Sequence, residues 1–260
     1  MSTVVFVHAH PDDEGTSTAG SMVRLVREGH RVVVLYATNG DFGAAPDDLA
    51  PGETLVDRRR GEAEASAEIT GTQRVAWLGY ADSGMTGWEQ NAGERAFHGA
   101  DVEVAARAVA DLLDEEDADV VVGYDWHGGY GHPDHVMVHR VTRRALELAA
   151  RRPRYLETTM NRDLMRELFK AAQEMGMEGF DPDALGDDGL PIGMAEAELH
   201  WAVDVTPDIA AKRAALACHA SQSDVQQILS MPEEVFPVAF GTEHYVEPGR
   251  PDGMVRGWWL

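Results

Sequence analysis

The stretch "FVHAHPDDEGTSTAG", Phe6 to Gly20, decides how the chain is read. Thr3, Val4 and Val5 precede it, and with Phe6 and Val7 they form a short apolar, β-branched run. That run predicts a buried strand over Thr3 to Ala9. The strand then runs into His8, His10, Pro11 and the acids Asp12, Asp13 and Glu14. Ala19, Met22, Val23 and Val26 follow at helical spacing, which predicts a helix from Thr16 to Glu28 with Gly29 as its cap. The unit is a strand, a turn dense in titratable side chains, and a helix.

The same alternation continues along the chain. Strands are expected over Arg31–Gly40, Gln73–Gly79, Ala118–Tyr124 and Arg154–Met160. Helices are expected over Thr54–Ile69, Asp101–Glu115, His132–Arg151 and Asn161–Met175. Residues Phe42–Glu53 read as loop, and Tyr80–Gly99 as a long Gly-rich loop, a length that is often functional. A loop is expected over Gly176–Ala195, a strand over Glu198–Val205, and a helix over Pro207–Ala220 with proline in its first turn. The β-α-β-α order implies an α/β fold: a Rossmann-like parallel twisted sheet with helices on both faces. We read one domain over residues 1–260, a core over 1–160 and a C-terminal elaboration over 161–260 that contributes to the substrate pocket. Ligands of such sheets bind beyond the carboxyl ends of the strands. The opening stretch, the long loop and "YDWHGGYGHPDH" (Tyr124–His135) would all meet at that edge.

The chain has 260 residues, enough for a sizeable core, and carries 22 basic against 45 acidic residues, a net charge of −23. Such a surface repels the phosphates of nucleic acids and anionic membranes, so neither is an expected partner. A neutral or cationic small molecule is. The single cysteine, Cys218, leaves no intrachain disulfide framework, which fits a cytoplasmic location. No signal peptide or membrane-length apolar run is visible. G-x-G-x-x-G after the first strand, G-x-S-x-G and a GK[ST] loop are all missing.

Two clusters share one grammar, "HPDD" at His10–Asp13 and "HPDH" at His132–His135. His10, Asp13 and His135 would give two imidazoles and one carboxylate, a donor set suited to Zn²⁺ in a catalytic site and also open to Fe²⁺. Adjacent Asp12 and Asp13 point different ways on a turn, so one can bind a metal while the other takes a proton from water. His132 could protonate a leaving amine or stabilise an oxyanion, and Tyr130 could hydrogen-bond the same oxygen. Plainer readings fit other residues. His8 and His139 read as structural, Glu14 as a first-turn acid on the helix dipole, and Cys218 as a small core residue. The run Arg58–Arg60 reads as a solvated face. The terminal Gly257–Leu260 reads as packed, with a homo-oligomer contact as the other reading.

These residues resemble the LmbE-like, or N-acetylglucosaminyl-phosphatidylinositol de-N-acetylase, family of zinc-dependent amide hydrolases. "AHPDDE" (Ala9–Glu14) matches that family's signature. "GGYGHPDHV" (Gly128–Val136) resembles the second motif of its mycothiol-pathway members, a sugar deacetylase and a conjugate amidase. "DSGM" (Asp82–Met85) resembles their sugar-site loop, and "HASQ" (His219–Gln222) a C-terminal stretch. The resemblance implies zinc on His10, Asp13 and His135, with Asp12 as general base. It implies His132 as acid or stabiliser, oriented by Asp134, and Tyr130 at the oxyanion. It also implies Arg59, of an Arg-x-x-Glu element with Glu62, at the polar end of the substrate, and Asp82 with Met85 at the sugar. The implied activity is hydrolysis of an N-acyl, foremost N-acetyl, amide of an amino sugar. A larger thiol-conjugate or natural-product intermediate is the alternative, and a metal-binding protein without turnover is a third. "DWH" (Asp125–His127), "NGDFGAAP" (Asn39–Pro46) and Glu178–Ala197 depart from the relatives. All three flank the expected pocket.

Overall fold

A computed structural model describes residues 1–43, 45–174, 181 and 183–260. In chain order the elements are β1 (Thr3–His8), α1 (Asp13–Ser17), α2 (Ala19–Arg27), β2 (Arg31–Thr38), α3 (Leu55–Thr70) and β3 (Arg74–Tyr80). Then come α4 (Val102–Glu115), β4 (Val120–Tyr124), α5 (Pro133–Leu148), β5 (Arg154–Thr159) and α6 (Arg162–Glu174). Last are β6 (Trp201–Asp204), α7 (Ile209–Ala217), α8 (Ser223–Leu229), α9 (Phe236–Phe240), β7 (Thr242–Val246) and β8 (Val255–Arg256). Among the described residues no helix is long and apolar enough to cross a membrane.

One sheet runs β3-β2-β1-β4-β5-β7-β6-β8. The pairs β3·β2, β2·β1, β1·β4 and β4·β5 are parallel. The expected parallel sheet therefore holds for five strands. Beyond them β7 pairs antiparallel with both β5 and β6, and β8 runs parallel to β6, so the whole sheet is mixed. Alternate side chains of β1 enter two cores. Val5 and Val7 pack with Val109, Leu113, Val138 and Val141 of α4 and α5. Val4 and Phe6 pack on the other face with Met22, Leu25, Val203, Tyr245 and Trp259. The terminal tryptophans are packed, as read from sequence, with Trp259 buried against Tyr245.

Several boundaries have local causes. Helix α3 begins at a reciprocal cap between Thr54 and Asp57 and stops at Gly71, whose φ is 75°. The single helix expected over Thr16–Glu28 is two, broken at Thr18. Glu243 of β7 explains the break. Its carboxylate accepts from Gly20 N and Ser21 N, each at 2.9 Å, and pairs with buried Lys212 of α7 at 2.7 Å. The long loop after β3 contains short 3₁₀ turns at Glu89–Ala92 and Phe97–Gly99. Of the expected loop Gly176–Ala195, and of Met175 in the expected helix, residues 175–180 and 182 lie outside the described residues.

Candidate metal and catalytic site

Strand order reverses between β1 and β4, and the crevice beyond their carboxyl ends is the switch point of such a sheet. His10–Asp13 leave β1 into it, and Asp125–His135 leave β4 into it. The three imidazoles meet there, with ring centres 4.7 Å apart for His10 and His132, 5.3 Å for His10 and His135, and 5.2 Å for His132 and His135.

Asp13 lies between two of them. Its Oδ2 is 3.5 Å from His10 Nδ1, and its Oδ1 is 3.4 Å from His135 Nε2. Tetrahedral donors about 2.0–2.1 Å from zinc stand roughly 3.3 Å from one another, and each Asp13–imidazole contact is of that order, through a different carboxylate oxygen for each histidine. The far nitrogens are also committed. His10 Nε2 is 3.2 Å from Asp134 Oδ2 and 3.5 Å from Asp82 Oδ1. His135 Nδ1 is 3.2 Å from the Gly128 carbonyl. Those acceptors can take a hydrogen bond from each far nitrogen, which would leave His10 Nδ1 and His135 Nε2, the nitrogens nearest Asp13, to a metal, the usual support of a ligand imidazole. Gly128 has φ 64°, and a Cβ there would stand 2.5 Å from that of His135, so the loop needs glycine.

The described side chains whose single ligand atoms converge within ion-binding reach are His10, His132 and His135, and His10, Asp82 and Asp134; the set with Asp13 is not among them. The hydrogen bonds favour the set containing Asp13. Asp82 and Asp134 occupy the outer nitrogen of His10, and His132 serves as the N-cap of α5. Its Nδ1 accepts from Asp134 N at 3.2 Å, ahead of Pro133 in the first turn. HPDH is thus a helix start as well as a histidine cluster. Accepting at Nδ1 leaves the His132 proton on Nε2. Burial, with His10 and His135 beside it, lowers His132 to about 3, so its imidazole is neutral.

Asp12 has φ 122°, a left-handed backbone that an L-residue adopts only under constraint. Arg59 supplies the constraint. Its Nη2 donates to Asp12 Oδ2 at 2.7 Å and to the Pro11 carbonyl, while Nη1 donates to the Gly40 carbonyl at 2.9 Å. Burial, with Asp13 adjacent, raises Asp12 to about 7 despite that arginine. Arg59 is 2% exposed, and its two Nη groups bond the protein while its buried Nε has no hydrogen-bond partner among the described residues. Resemblance placed it on the substrate. Its neighbours Arg58 and Arg60 are, respectively, half-buried and exposed. Gly40, with φ 62°, has no room for a Cβ beside that guanidinium.

Other expected residues are placed as follows. Tyr130 puts its hydroxyl 3.4 Å from His135 Nε2, and burial holds its proton well above the usual phenol range. The carboxylate of Asp134 bonds His10 and Ser83 rather than His132, to which it offers its backbone N–H. Asp82, which resemblance gave to a sugar, is buried, and its Oδ1 accepts from Gly84 N at 2.8 Å and faces His10. Met85 lies half-buried on the same loop. His8 bonds Tyr124 and Thr18, and His139 bonds the Tyr124 carbonyl at 3.0 Å, both structural. Cys218 is half-buried at the end of α7 with Sγ toward the Ala214 carbonyl, not in the core.

Sequence reasoning missed the layer behind these residues. Ser83 meets Asp134 through its N at 2.8 Å and Oγ at 2.5 Å. Glu14 is not a dipole acid only. It accepts from Asp12 N, Ser66 Oγ and His219 Nε2 at 3.1, 2.6 and 2.6 Å. Burial opposes its charge, but His219 and Ser66 outweigh that and hold it at about 2. Glu62, the partner of Arg59 in sequence, binds Ser221 N and Oγ at 2.8 and 2.7 Å. The "HASQ" stretch thus fastens the acids of α1 and α3 from behind.

Two cavities flank this layer. One of about 400 Å³ opens on Asp12, Asp13 and Tyr130. The other, about 440 Å³, lies between the 45–48 loop and α8 and touches none of the clustered imidazoles or their carboxylates.

The GlcNAc-PI de-N-acetylase model matches residues 5–146, which carry His10, Asp12, Asp13, Arg59, Tyr130, His132 and His135. A 1D-myo-inositol 2-acetamido-2-deoxy-alpha-D-glucopyranoside deacetylase of Nocardiopsis dassonvillei is 36% identical over 242 residues, covering 85% of each chain. A second deacetylase of that name, from Saccharopolyspora erythraea, is 36% identical over 272 residues, covering 97% of this chain and 93% of its own. The fold is similar to that of N,N'-diacetylchitobiose deacetylase from Pyrococcus horikoshii, with TM-score 0.59 at 20% identity, covering 94% of this chain and 82% of that one. With both histidine motifs seated at the switch point of the sheet, the chain belongs to the GlcNAc-PI de-N-acetylase (PIG-L) family.

Proposed function

We propose that the protein is a metal-dependent hydrolase that removes the N-acyl group, acetyl foremost, from an amino sugar or its conjugate. The observation that carries this reading is Asp13 between His10 Nδ1 and His135 Nε2, with a second, constrained carboxylate on Asp12 next to it. The names of its relatives, deacetylases of an acetamido sugar, support the amide and the sugar. His10, Asp13 and His135 are the proposed ligands, Zn²⁺ the proposed metal and Fe²⁺ the other candidate. When bound, such an ion supplies a water acidified toward neutrality and polarisation of the carbonyl.

The chain supplies the rest. Arg59 occupies Oδ2 of Asp12, which leaves Oδ1 to take the proton of the attacking water, and a raised pKa makes Asp12 a competent base near neutrality. Tyr130 keeps its proton and donates to the developing oxyanion. His132, a neutral imidazole, donates a hydrogen bond from Nε2 to the developing oxyanion, and the proton taken up by Asp12 passes to the departing amine. Asp134, with Asp82 and Ser83, orients His10. Arg59 is assigned to Asp12 rather than to substrate, and Met85 stays a candidate contact at the sugar loop.

The test is to strip the protein with a chelator, add back Zn²⁺ or Fe²⁺, and follow acetate release from the relatives' acetamido-sugar substrate and from N-acetylglucosamine. Activity should rise with metal and saturate near one ion per chain. A fully metal-loaded protein that releases acetate from neither substrate, nor amine from a thiol conjugate, would leave the non-catalytic reading standing.

A further inference from the structure

The cleft in front of Asp12, Asp13 and Tyr130 has a far wall of a different kind. It is made of Met160 after β5, Ile192 on the loop that follows α6, and Val225 and Ile228 of α8. All four lie beyond residue 146, where the family match ends. Hydrolytic machinery and wall therefore come from different parts of the chain.

The wall is built before any ligand arrives. Ile192 is fixed through its own backbone, since Arg162 Nε donates to the Ile192 carbonyl at 2.9 Å and Arg162 Nη2 to that of Gly193 at 2.6 Å. Gly193 N donates to the Gly129 carbonyl, and Asp187 N to that of Tyr130 at 2.8 Å. The loop carrying Ile192 is thus tied to the loop carrying Tyr130. Val225 is seated in a separate apolar cluster with Leu216 and Phe236, against which Ile228 also packs. An amino sugar alone asks its site for hydrogen-bond donors and acceptors, and this wall offers carbon. The charged lining residues are acids, Asp12, Asp13 and, at the rim, exposed Asp224, and among the described residues no lysine or arginine lines the cleft. A phosphorylated or carboxylated substituent is repelled there.

We propose that the substrate carries an uncharged aliphatic group of several carbons beside the scissile amide, seated against Met160, Ile192, Val225 and Ile228. This rests on the hydrolase reading and narrows it. The chemistry is the same whether the group is the acyl chain itself or a substituent on the sugar. A fully buried methylene is worth about four-fold in binding. N-hexanoylglucosamine adds four carbons to N-acetylglucosamine and the hexyl glycoside six, so partial burial in an open cleft should raise kcat/KM by at least about ten-fold.

The experiment compares N-acetylglucosamine, N-hexanoylglucosamine and hexyl 2-acetamido-2-deoxyglucoside with the metal-loaded protein. We expect one of the two six-carbon-chain substrates to exceed N-acetylglucosamine by that factor. The better one identifies the acyl or the glycosidic side as the source. Ile228→Ser truncates a partly exposed side chain, and Ile192→Ser tests the opposite side of the wall. Each should cut the advantage to below about three-fold while kcat/KM for N-acetylglucosamine stays within about two-fold. Equal kcat/KM for all three substrates overturns the apolar subsite and leaves the hydrolase intact, as does an advantage that survives both substitutions. No hydrolysis of any of the three by metal-loaded protein that does release acetate from the relatives' acetamido-sugar substrate overturns the subsite alone; failure on that substrate and on a thiol conjugate as well overturns the hydrolase reading with it.

Discussion

Arg59 lies 2.7 Å from Asp12, donating from Nη2 to Oδ2, while its remaining contacts go to the Pro11 and Gly40 carbonyls. Three acceptors on one planar fork fix both the side chain and the strained backbone of Asp12. A lysine has no such fork. We expect Arg59→Lys and Arg59→Ala alike to lower kcat by about 10–10²-fold, the scale of a misplaced catalytic group. Metal content should stay at the wild-type level. Asp12→Ala should cost more, on the order of 10²–10⁴-fold, again with metal retained. A rise in KM with unchanged kcat in the Arg59 variants would return Arg59 to the substrate.

The two donor sets are separable by metal content. With His10, Asp13 and His135 as ligands, His10→Ala and Asp13→Ala should lose the ion, and His132→Ala should keep it while losing turnover. Asp134→Ala should weaken metal affinity by about 10–100-fold, because its carboxylate holds the outer nitrogen of His10. Competition with a chromogenic chelator reads each affinity. Loss of metal in His132→Ala, with retention in Asp13→Ala, would select the three-histidine set.

Sequence made the catalytic edge legible because its signals are local. HPDD and HPDH each close within four residues, and the period of the flanking strands gives the edge to which they belong. The second layer was not legible because its partners are far apart in the chain. Glu14 meets His219, Glu62 meets Ser221, and Gly20 meets Glu243. Nothing in the neighbourhood of Glu14 says that it will be buried opposite a histidine. The antiparallel edge escaped for a similar reason. "TEHYV" of β7 has Glu243 and His244 in its middle, residues that read as loop until their partners are known. The tie of Arg59 to Asp12 was not legible for a subtler cause, since a long cation beside a pocket looks the same in sequence whether it faces ligand or protein.

Lys212 and Glu243 are a stability test free of the chemistry. Both are about 1% exposed, and Glu243 also satisfies the N-terminus of α2 and the Tyr245 hydroxyl. Removing one partner of a buried pair strands the other, at about 3–5 kcal/mol. We expect Lys212→Met to lose stability in that range by urea denaturation. Glu243→Gln should cost a similar amount, because Lys212 is then the stranded charge. The double variant should cost less than the sum of the two singles.

Glu157 sets the last expectation, on pH. It lies on β5, buried, with its Oε1 unpartnered and 3.5 Å from His139 Nδ1. Burial, and then the carboxylate of Asp125, raise it to about 8, while Arg143 and Tyr155 act in the opposite sense. Burial lowers His139, so that imidazole is neutral and offers no compensating charge. An acid whose pKa is higher folded than unfolded binds more protons in the native state. Its contribution is fully present below the unfolded value near 4.5 and is lost as pH rises through about 8. The part of the unfolding free energy due to Glu157 should therefore fall between about pH 4.5 and 8, a window set by those two values. Glu157→Gln keeps the shape without the titration, so its fall over the same window should be smaller and its relative stability greatest at the alkaline end. Parallel pH profiles for wild type and Glu157→Gln, measured by urea denaturation at each pH, would show that Glu157 is ionised in the native protein throughout.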